Sequence, residues 1–279
     1  MARILLGLCA SGGDATLFPG TVASLLATIQ ANPGGHEFGI ERVPPGLSPG
    51  RARDFLADAL LRSDAAGLMI IESGLTFGPA AIDRLLGHDV PIVVGPYPTW
   101  EDAFERGLQL LPGDAPATLS GLREVEFAPT GFALIRREAL EGMADAASPR
   151  EDFGRRIRGF FDPVVLTDGQ SAYLGEDWAF CQRARDRGLS VYCDFDLAIG
   201  RAGSYAYQVE PLPDGSVPIH EYFPVVDRLM ALPSAALRPA GVELPPPVAA
   251  FVDQLEMLEV SLKEAAARSM AEYLERRVR

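Results

Sequence analysis

Leu174-Gly175-Glu176-Asp177-Trp178-Ala179-Phe180-Cys181-Gln182-Arg183-Ala184-Arg185 is the stretch on which the reading of this chain turns. It sets an acidic pair, Glu176 and Asp177, at the start of an amphipathic helix. Trp178, Cys181 and Ala184 recur at i, i+3 and i+6 and give that helix one buried face. Carboxylates at a helix N-terminus are favoured by the helix dipole, so a capping role is open to both acids. A second role is equally physical. Two adjacent acids followed at once by Trp and Phe sit where a buried helix enters a cleft, and such a place holds a catalytic carboxylate rigidly.

Working outward, strands alternate with helices. Residues 3–9 read as a buried strand, Ser11-Gly12-Gly13-Asp14 as a flexible turn and 19–30 as a helix. The Pro- and Gly-rich stretch 33–50 reads as loop around a short strand at 37–43. Arg51 to Arg62 is a helix with apolar Phe55, Leu56, Ala59 and Leu60. Ala66 to Ile71 is a second buried strand ending at Glu72-Ser73-Gly74, a short helix covers 79–87, and Pro91 to Val94 is a third strand before Gly95-Pro96-Tyr97-Pro98. Thr130 to Arg137 reads as a strand running into a helix at 138–144, Val191 to Asp196 as another strand, and Ile199 to Tyr207 as a loop. This alternation predicts an α/β fold with a mainly parallel sheet flanked by helices. Ligands in such folds bind beyond the carboxyl ends of the strands, where Ser11–Asp14 and Glu72–Gly74 both fall.

Composition narrows the function. The 279 residues carry a formal charge of −13 and are 48% apolar. That apolar content supplies a packed core. No surplus of Lys and Arg exists to displace counterions, so a nucleic-acid backbone is not an expected partner. Anionic ligands then depend on local arginines. Cys9, Cys181 and Cys193 are an odd set at no metal-like spacing and read as small buried hydrophobes. His36, His88 and His220 show no mutual spacing for a metal or a triad. The N-terminus runs straight into Ser-Gly-Gly-Asp, too short a lead for a signal peptide. No window approaches a membrane span of about 20 apolar residues. A cytoplasmic location is expected.

Residues 233–247 hold five prolines and read as a stiff, extended linker. Beyond it Phe251, Leu255, Leu258, Leu262 and Ala265 step by four and three, a heptad-like stripe. This helix either packs on its own domain or pairs between subunits in a homo-oligomer. The expected organisation is a domain over 1–230, a Pro-rich linker over 231–247 and a C-terminal helix over 248–279.

Seven ordered pieces resemble the GT-A family of nucleotide-sugar glycosyltransferases. They are Arg51-Ala52-Arg53-Asp54-Phe55-Leu56, Leu68-Met69-Ile70-Ile71-Glu72-Ser73-Gly74, Val94-Gly95-Pro96-Tyr97-Pro98, Thr130-Gly131-Phe132-Ala133-Leu134-Ile135-Arg136, Phe160-Phe161-Asp162, Gly175-Glu176-Asp177-Trp178-Ala179-Phe180-Cys181 and Ile199-Gly200-Arg201-Ala202-Gly203. The Glu-Asp-Trp-x-Phe-Cys helix is the most specific of them, and their order is the strong part. The resemblance spans roughly residues 3–210 and implies a Rossmann-like GT-A domain and a UDP- or GDP-linked sugar donor.

The resemblance implies donor binding by the loop after the first strand (Ala10, Ser11, Gly12, Asp14) and by Arg51 and Arg53 on the following helix. The residue chemistry agrees. Glycines permit close backbone approach, Asp14 can accept from a base or ribose, and an arginine can reach phosphate oxygens in a forked geometry. A solvated helix surface is the other reading of either arginine. The family ends its second core strand with Asp-x-Asp, whose second acid ligates Mn²⁺ or Mg²⁺, and commonly adds a histidine ligand. Here those places are Glu72-Ser73-Gly74 and Arg201. Glu72 is left as a weak metal candidate. Arg201 carries a fixed positive charge suited to phosphate oxygens, so no cofactor is expected to be required, with a weakly bound Mn²⁺ or Mg²⁺ as the alternative.

The same resemblance makes Asp177 the candidate base toward an acceptor hydroxyl. Glu176 would hold sugar hydroxyls or the acceptor, or exchange roles with Asp177. Gly131 suits a tight wall near a sugar. Trp178 suits core or sugar-platform packing, and Tyr205 stacking on a sugar or base or packing in the core. The expectation is transfer of a sugar from a nucleotide sugar to an unknown hydroxyl acceptor. The alternative is a non-catalytic nucleotide- or sugar-binding scaffold module of the same origin.

Overall fold

A computed structural model describes residues 2–9, 17–44, 46–98, 107–113, 120–152, 154–166, 172–202, 206–209 and 219–222. In chain order the elements are β1 (Arg3–Cys9), α1 (Pro19–Ala31), β2 (Glu37–Arg42), α2 (Pro49–Arg62), β3 (Gly67–Glu72), β4 (Leu75–Phe77), α3 (Ala81–Gly87), β5 (Ile92–Val94), β6 (Gln109–Leu110), β7 (Leu122–Phe127), β8 (Phe132–Arg136), α4 (Arg137–Met143), β9 (Ser148–Asp152), β10 (Arg155–Gly159), β11 (Val164–Leu166), β12 (Ala172–Leu174), α5 (Glu176–Asp186), β13 (Val191–Asp194), β14 (Ile199–Ala202), β15 (Ala206–Val209) and β16 (Ile219–Tyr222). The chain divides into one unit of Met1–Arg201 with Gln208–His220, and a second of Ala202–Tyr207 with Glu221–Arg279. The proposed linker and C-terminal helix lie outside the described residues.

The core sheet has eight strands in the order β2-β1-β3-β8-β5-β13-β7-β6. β2, β1, β3, β5, β13 and β6 run one way, and β8 and β7 run against them. The architecture is therefore the expected mixed α/β type, a mainly parallel sheet flanked by helices.

Side-chain alternation builds a core on each face of the sheet. Ile4, Leu6 and Leu8 of β1 join Met69 and Ile71 of β3, with Leu25 of α1 and Ile82 and Leu85 of α3 above them. Leu5 and Cys9 join Leu68 and Ile70 on the other face, under Phe55, Leu56 and Leu60 of α2 and Phe180, Cys181 and Ala184 of α5. Arg137 ties the end of α2 to the start of α4. Its guanidinium donates to the carbonyls of Leu60 (2.7 Å), Leu61 (3.3 Å), Ser63 (2.8 Å) and Ala65 (2.8 and 2.9 Å). Carbonyls left open at a helix end are thus satisfied, and the cation complements the helix dipole.

Several sequence expectations need correction. Residues 199–202 form strand β14, antiparallel to β4 through Ile199↔Phe77 and Arg201↔Leu75, where a loop was expected. Residues 148–174, where no strand was expected, hold the antiparallel hairpin β9–β10 and the pair β11–β12. β9 is Ser-Pro-Arg-Glu-Asp, a polar run with no apolar alternation to announce a strand. The buried face of α5 is Ala179, Phe180, Cys181 and Ala184, while Trp178 stands at its edge, only partly buried. Trp178 stacks on Phe127 of β7 instead, with ring centroids 4.6 Å apart and planes 8° from parallel.

Candidate functional site

Three elements bring their polar ends together at the carboxyl side of the parallel strands. β3 ends in Glu72, α2 supplies Arg53, and α5 opens on Glu176 and Asp177. Gly175 stands at the N-cap of α5 and offers no side-chain cap. The carboxylates of the first turn are therefore the negative groups nearest the positive end of the helix.

Arg53 lies under these acids, 3% exposed. Its Nη1 is 3.0 Å from Asp177 Oδ1 and 3.7 Å from Glu176 Oε1, and its Nη2 is 3.7 Å from Glu72 Oε2. Arg201, also buried, extends the chain of charges from β14. Its Nη1 donates to Glu72 Oε1 at 3.4 Å, its Nη2 is 3.3 Å from Oε2, and its guanidinium lies 5.0 Å from the Tyr97 ring centroid. A continuous path Arg201–Glu72–Arg53–Asp177 results. Two arginines face three acids, so the formal balance is +2 − 3 = −1. The acids are the outer layer. Side-chain exposure is 35% for Glu176, 24% for Asp177 and 17% for Glu72, against 4% for each arginine.

Asp177 is held from one further direction. The Thr130 hydroxyl, fully buried, donates to Asp177 Oδ1. Burial raises the Asp177 carboxyl above the ordinary aspartate value; Arg53 and Thr130 work against the rise, and Glu176 and Glu72 add to it. Cys9, at the end of β1, is pushed up to about 12 by burial, so it is a thiol and not a nucleophile in waiting. Burial likewise raises the Tyr97 phenol, with Glu72 and Asp177 adding to the effect.

Gly131 is the hinge of the packing beneath. Its amide donates to Tyr97 Oη at 2.8 Å, and its carbonyl accepts from the Glu72 amide at 2.7 Å. A methyl at this position would overlap both the Glu72 carboxylate and the Tyr97 phenol. Gly131 is itself buried.

Gly74 occupies φ +96, a backbone state open to glycine and strained for an L side chain. Its amide donates to Thr21 Oγ1 at 3.0 Å, and Ser73 Oγ accepts from the Phe18 amide at 2.8 Å. The turn from β3 into β4 is thus tied back onto the start of α1. A second acid at 74 would be strained in this turn. With Glu72 paired to two guanidinium groups and Arg201 where a histidine ligand was expected, the donor set does not fit Mn²⁺ or Mg²⁺. Among the described residues no group of three or more His, Cys, Asp or Glu is arranged to hold a metal ion.

The structure brings Arg53, Glu72, Glu176, Asp177 and Arg201 together. Arg51 points elsewhere. It is about half exposed (48% for the side chain), and its Nε and Nη2 donate to Asp152 Oδ2 and Oδ1 at 3.0 and 2.5 Å. Trp178 Nε1 donates to the Gly107 carbonyl at 3.4 Å. Ala10, Ser11, Gly12, Asp14 and Tyr205 lie outside the described residues. Thr130 and Tyr97 were missed as site residues although both stand inside quoted pieces, Thr-Gly-Phe and Gly-Pro-Tyr-Pro. Each touches its partner only across the sheet, and no spacing in the chain announces such a contact.

No protein-family model matches this chain, and no curated protein matches it. Among solved structures, A197 from STIV is similar with a TM-score of 0.44 and 16% identity, over 79% of this chain and 94% of that one. S. aureus TarS 1–349 is similar with a TM-score of 0.36 and 12% identity, over 70% of this chain and 61% of that one. This chain therefore spans less than two thirds of that TarS chain.

Proposed function

We propose that the protein transfers a sugar from a UDP- or GDP-linked donor to a hydroxyl acceptor, without a divalent ion. The observation that carries this reading is the placement of Asp177. It is a partly exposed carboxylate on the first turn of a buried helix, oriented by Thr130 and Arg53 and set beyond the strand ends. A base works best when its pKa approaches the working pH, and burial moves Asp177 in that direction.

In the proposed step Asp177 takes the acceptor proton as the acceptor oxygen attacks the anomeric carbon. The bond from that carbon to the diphosphate breaks, and its electron pair leaves with the diphosphate. With Asp177 protonated, Arg53 and Arg201 balance Glu72 and Glu176, +2 − 2 = 0, where the resting cluster carried −1. Arg201 is the residue proposed to meet phosphate oxygens in place of a metal, an electrostatic effect that costs no reorganisation when the group is already fixed. Glu176, the most exposed of the acids, is placed to hold sugar hydroxyls.

One observation favours a second reading. Glu72 already engages both guanidinium groups, which suits a binding or scaffold module whose charges are internally settled.

Thermal unfolding with UDP, GDP and their sugars, each with Mn²⁺ and with EDTA, separates the readings. A ligand at a hundred times its Kd stabilises the native state by about 2.7 kcal/mol. The transferase reading expects a nucleotide-dependent rise in Tm that EDTA leaves unchanged, and turnover reduced by about 10²–10⁴ in Asp177→Asn. Turnover should also fall with acid, since the base must be ionised. A rise without turnover favours the binding module. No rise with any nucleotide overturns both.

A further inference from the structure

β2 ends the core sheet on one side, and no strand lies outside it among the described residues. The Glu37 amide donates to the Ala2 carbonyl, just ahead of β1. Backbone groups alternate in direction along a strand. Those of Glu37, Gly39 and Glu41 therefore face β1, and those of Phe38, Ile40 and Arg42 face outward. Natural edges are blunted by proline, by charge or by shortness. β2 has six residues and no proline, and sets Ile40 near its middle with 57% of its surface exposed. Ile40 shares a face with Phe38, which packs against the core that Leu25 of α1 joins, and Ile29 of α1 is exposed as well.

The charges of β2 decide what it can pair with. A two-fold axis at the edge lays a second copy antiparallel. Outward residues must then oppose outward residues, which leaves few registers. Phe38 opposite Ile40 sets Glu37 against Glu41 at both ends. Ile40 opposite Arg42 sets Glu41 against Glu41. Like charges directly opposite destabilise a strand pair. Centring on Phe38 or on Arg42 pairs only one end of β2. Ile40 opposite Ile40 escapes all of these. It puts Gly39 across from Glu41 and Phe38 across from Arg42, where a guanidinium can lie over a ring. It also covers the exposed isoleucine with its own copy. We propose that β2 is a homodimer interface, its edge pairing antiparallel with β2 of a second copy about Ile40. Two eight-stranded sheets then run on as one. The surface owes nothing to the transferase reading or to the C-terminal stripe.

Sedimentation velocity of the full chain and of Ile40→Lys tests the proposal. Lysine suits an exposed edge position, and the pairing would set two ammonium groups face to face. Wild type is expected at twice the mass of the variant. Equal masses overturn the proposal, whether both proteins are monomers or both are dimers held elsewhere. Disulfide trapping reads the register. Gly39 and Glu41 would oppose each other in a non-hydrogen-bonded pair, with Cα atoms about 4.5 Å apart, within disulfide reach. A Cβ at 39 meets only Leu5, at an ordinary 3.5 Å. The double variant Gly39→Cys with Glu41→Cys is expected to form a covalent dimer on mild oxidation, and either single variant far less. No covalent dimer from the double variant overturns the pairing, and single variants that crosslink as fast overturn the register.

Discussion

Arg53 and Asp54 are neighbours on α2, and they enter two charged clusters built on different terms. Asp54 belongs to the docking of the β9–β10 hairpin. Its Oδ1 accepts from the Phe161 amide at 2.9 Å and its Oδ2 from Arg150 Nη2 at 2.7 Å. Arg150 also donates to Asp162, Arg51 grips Asp152 through two nitrogens, and Arg155 lies 4.2 Å from the centroid of the Phe55 ring. The donors of Arg51 and the Nη2 of Arg150 meet acceptors at 2.5–3.0 Å, while Arg150 Nε and the Nε and Nη2 of Arg155 have no aligned acceptor. Around Arg53 the contacts run from 3.0 to 3.7 Å, and neither its Nε nor its Nη1 meets an aligned acceptor. The first cluster is held chiefly by aligned hydrogen bonds at Asp54 and Asp152, as buried polar groups in a structural role are. The second is held chiefly by charge at the ends of β3 and α5.

The sharpest test of that contrast is pH. Burial pushes the Asp54 carboxyl from 3.8 up to about 6, with the Phe161 amide and Arg150 opposing the rise. The folded state therefore binds this proton more tightly than the unfolded chain. The associated stability is fully present below pH 3.8 and is lost as pH rises through about 6. It amounts to about 3 kcal/mol. Urea unfolding of wild type and Asp54→Asn between pH 4 and 7 should show a difference that changes by about this amount, wild type losing ground as pH rises. Equal slopes for the two proteins would remove Asp54 from the account.

A smaller effect is expected at the base of the site. Gly131→Ala forces a methyl into the Glu72 and Tyr97 side chains, and overpacking of this kind costs about 1–3 kcal/mol. Chemical denaturation measures the loss. A change confined to ligand affinity, with stability intact, would show that the neighbours yield freely.

The least effect belongs to Arg51. Its pairing with Asp152 is well aligned, but the arginine is about half exposed. Exposed pairs contribute about 0.2–1 kcal/mol. Arg51→Ala should lower stability within that range and leave nucleotide binding unchanged by calorimetry. A large loss of affinity would return Arg51 to the site and blur the division between the clusters.

Much of the scaffold was legible in the chain. The apolar runs 3–9 and 66–71, the helix at 51–62 and the acidic start of α5 all carry strong periodic signals. Glu72, Glu176 and Asp177 were visible because acids at strand ends and helix starts stand out against apolar neighbours. The hairpin 148–159 was not legible, because its strands are polar and are fixed by ion pairs to α2 some 100 residues earlier. Strand β14 escaped for a related reason. Its four residues, Ile-Gly-Arg-Ala, gain their extended form by pairing with β4, far away in sequence.

Local order, then, decided which segments become strands and helices, and hence that the fold is mixed α/β with acids at the end of β3 and the start of α5. Hydrophobic periodicity is a short-range property, and the chain carries it openly. Whether Arg53 faces solvent, a phosphate or three carboxylates is not written in its neighbours. Arg51 and Arg53 read alike in the chain, yet one is about half exposed on a hairpin and the other buried under the site. Their two-residue spacing turns them about 200° apart on the helix, and only the packing of α2 against the sheet selects which direction leads inward.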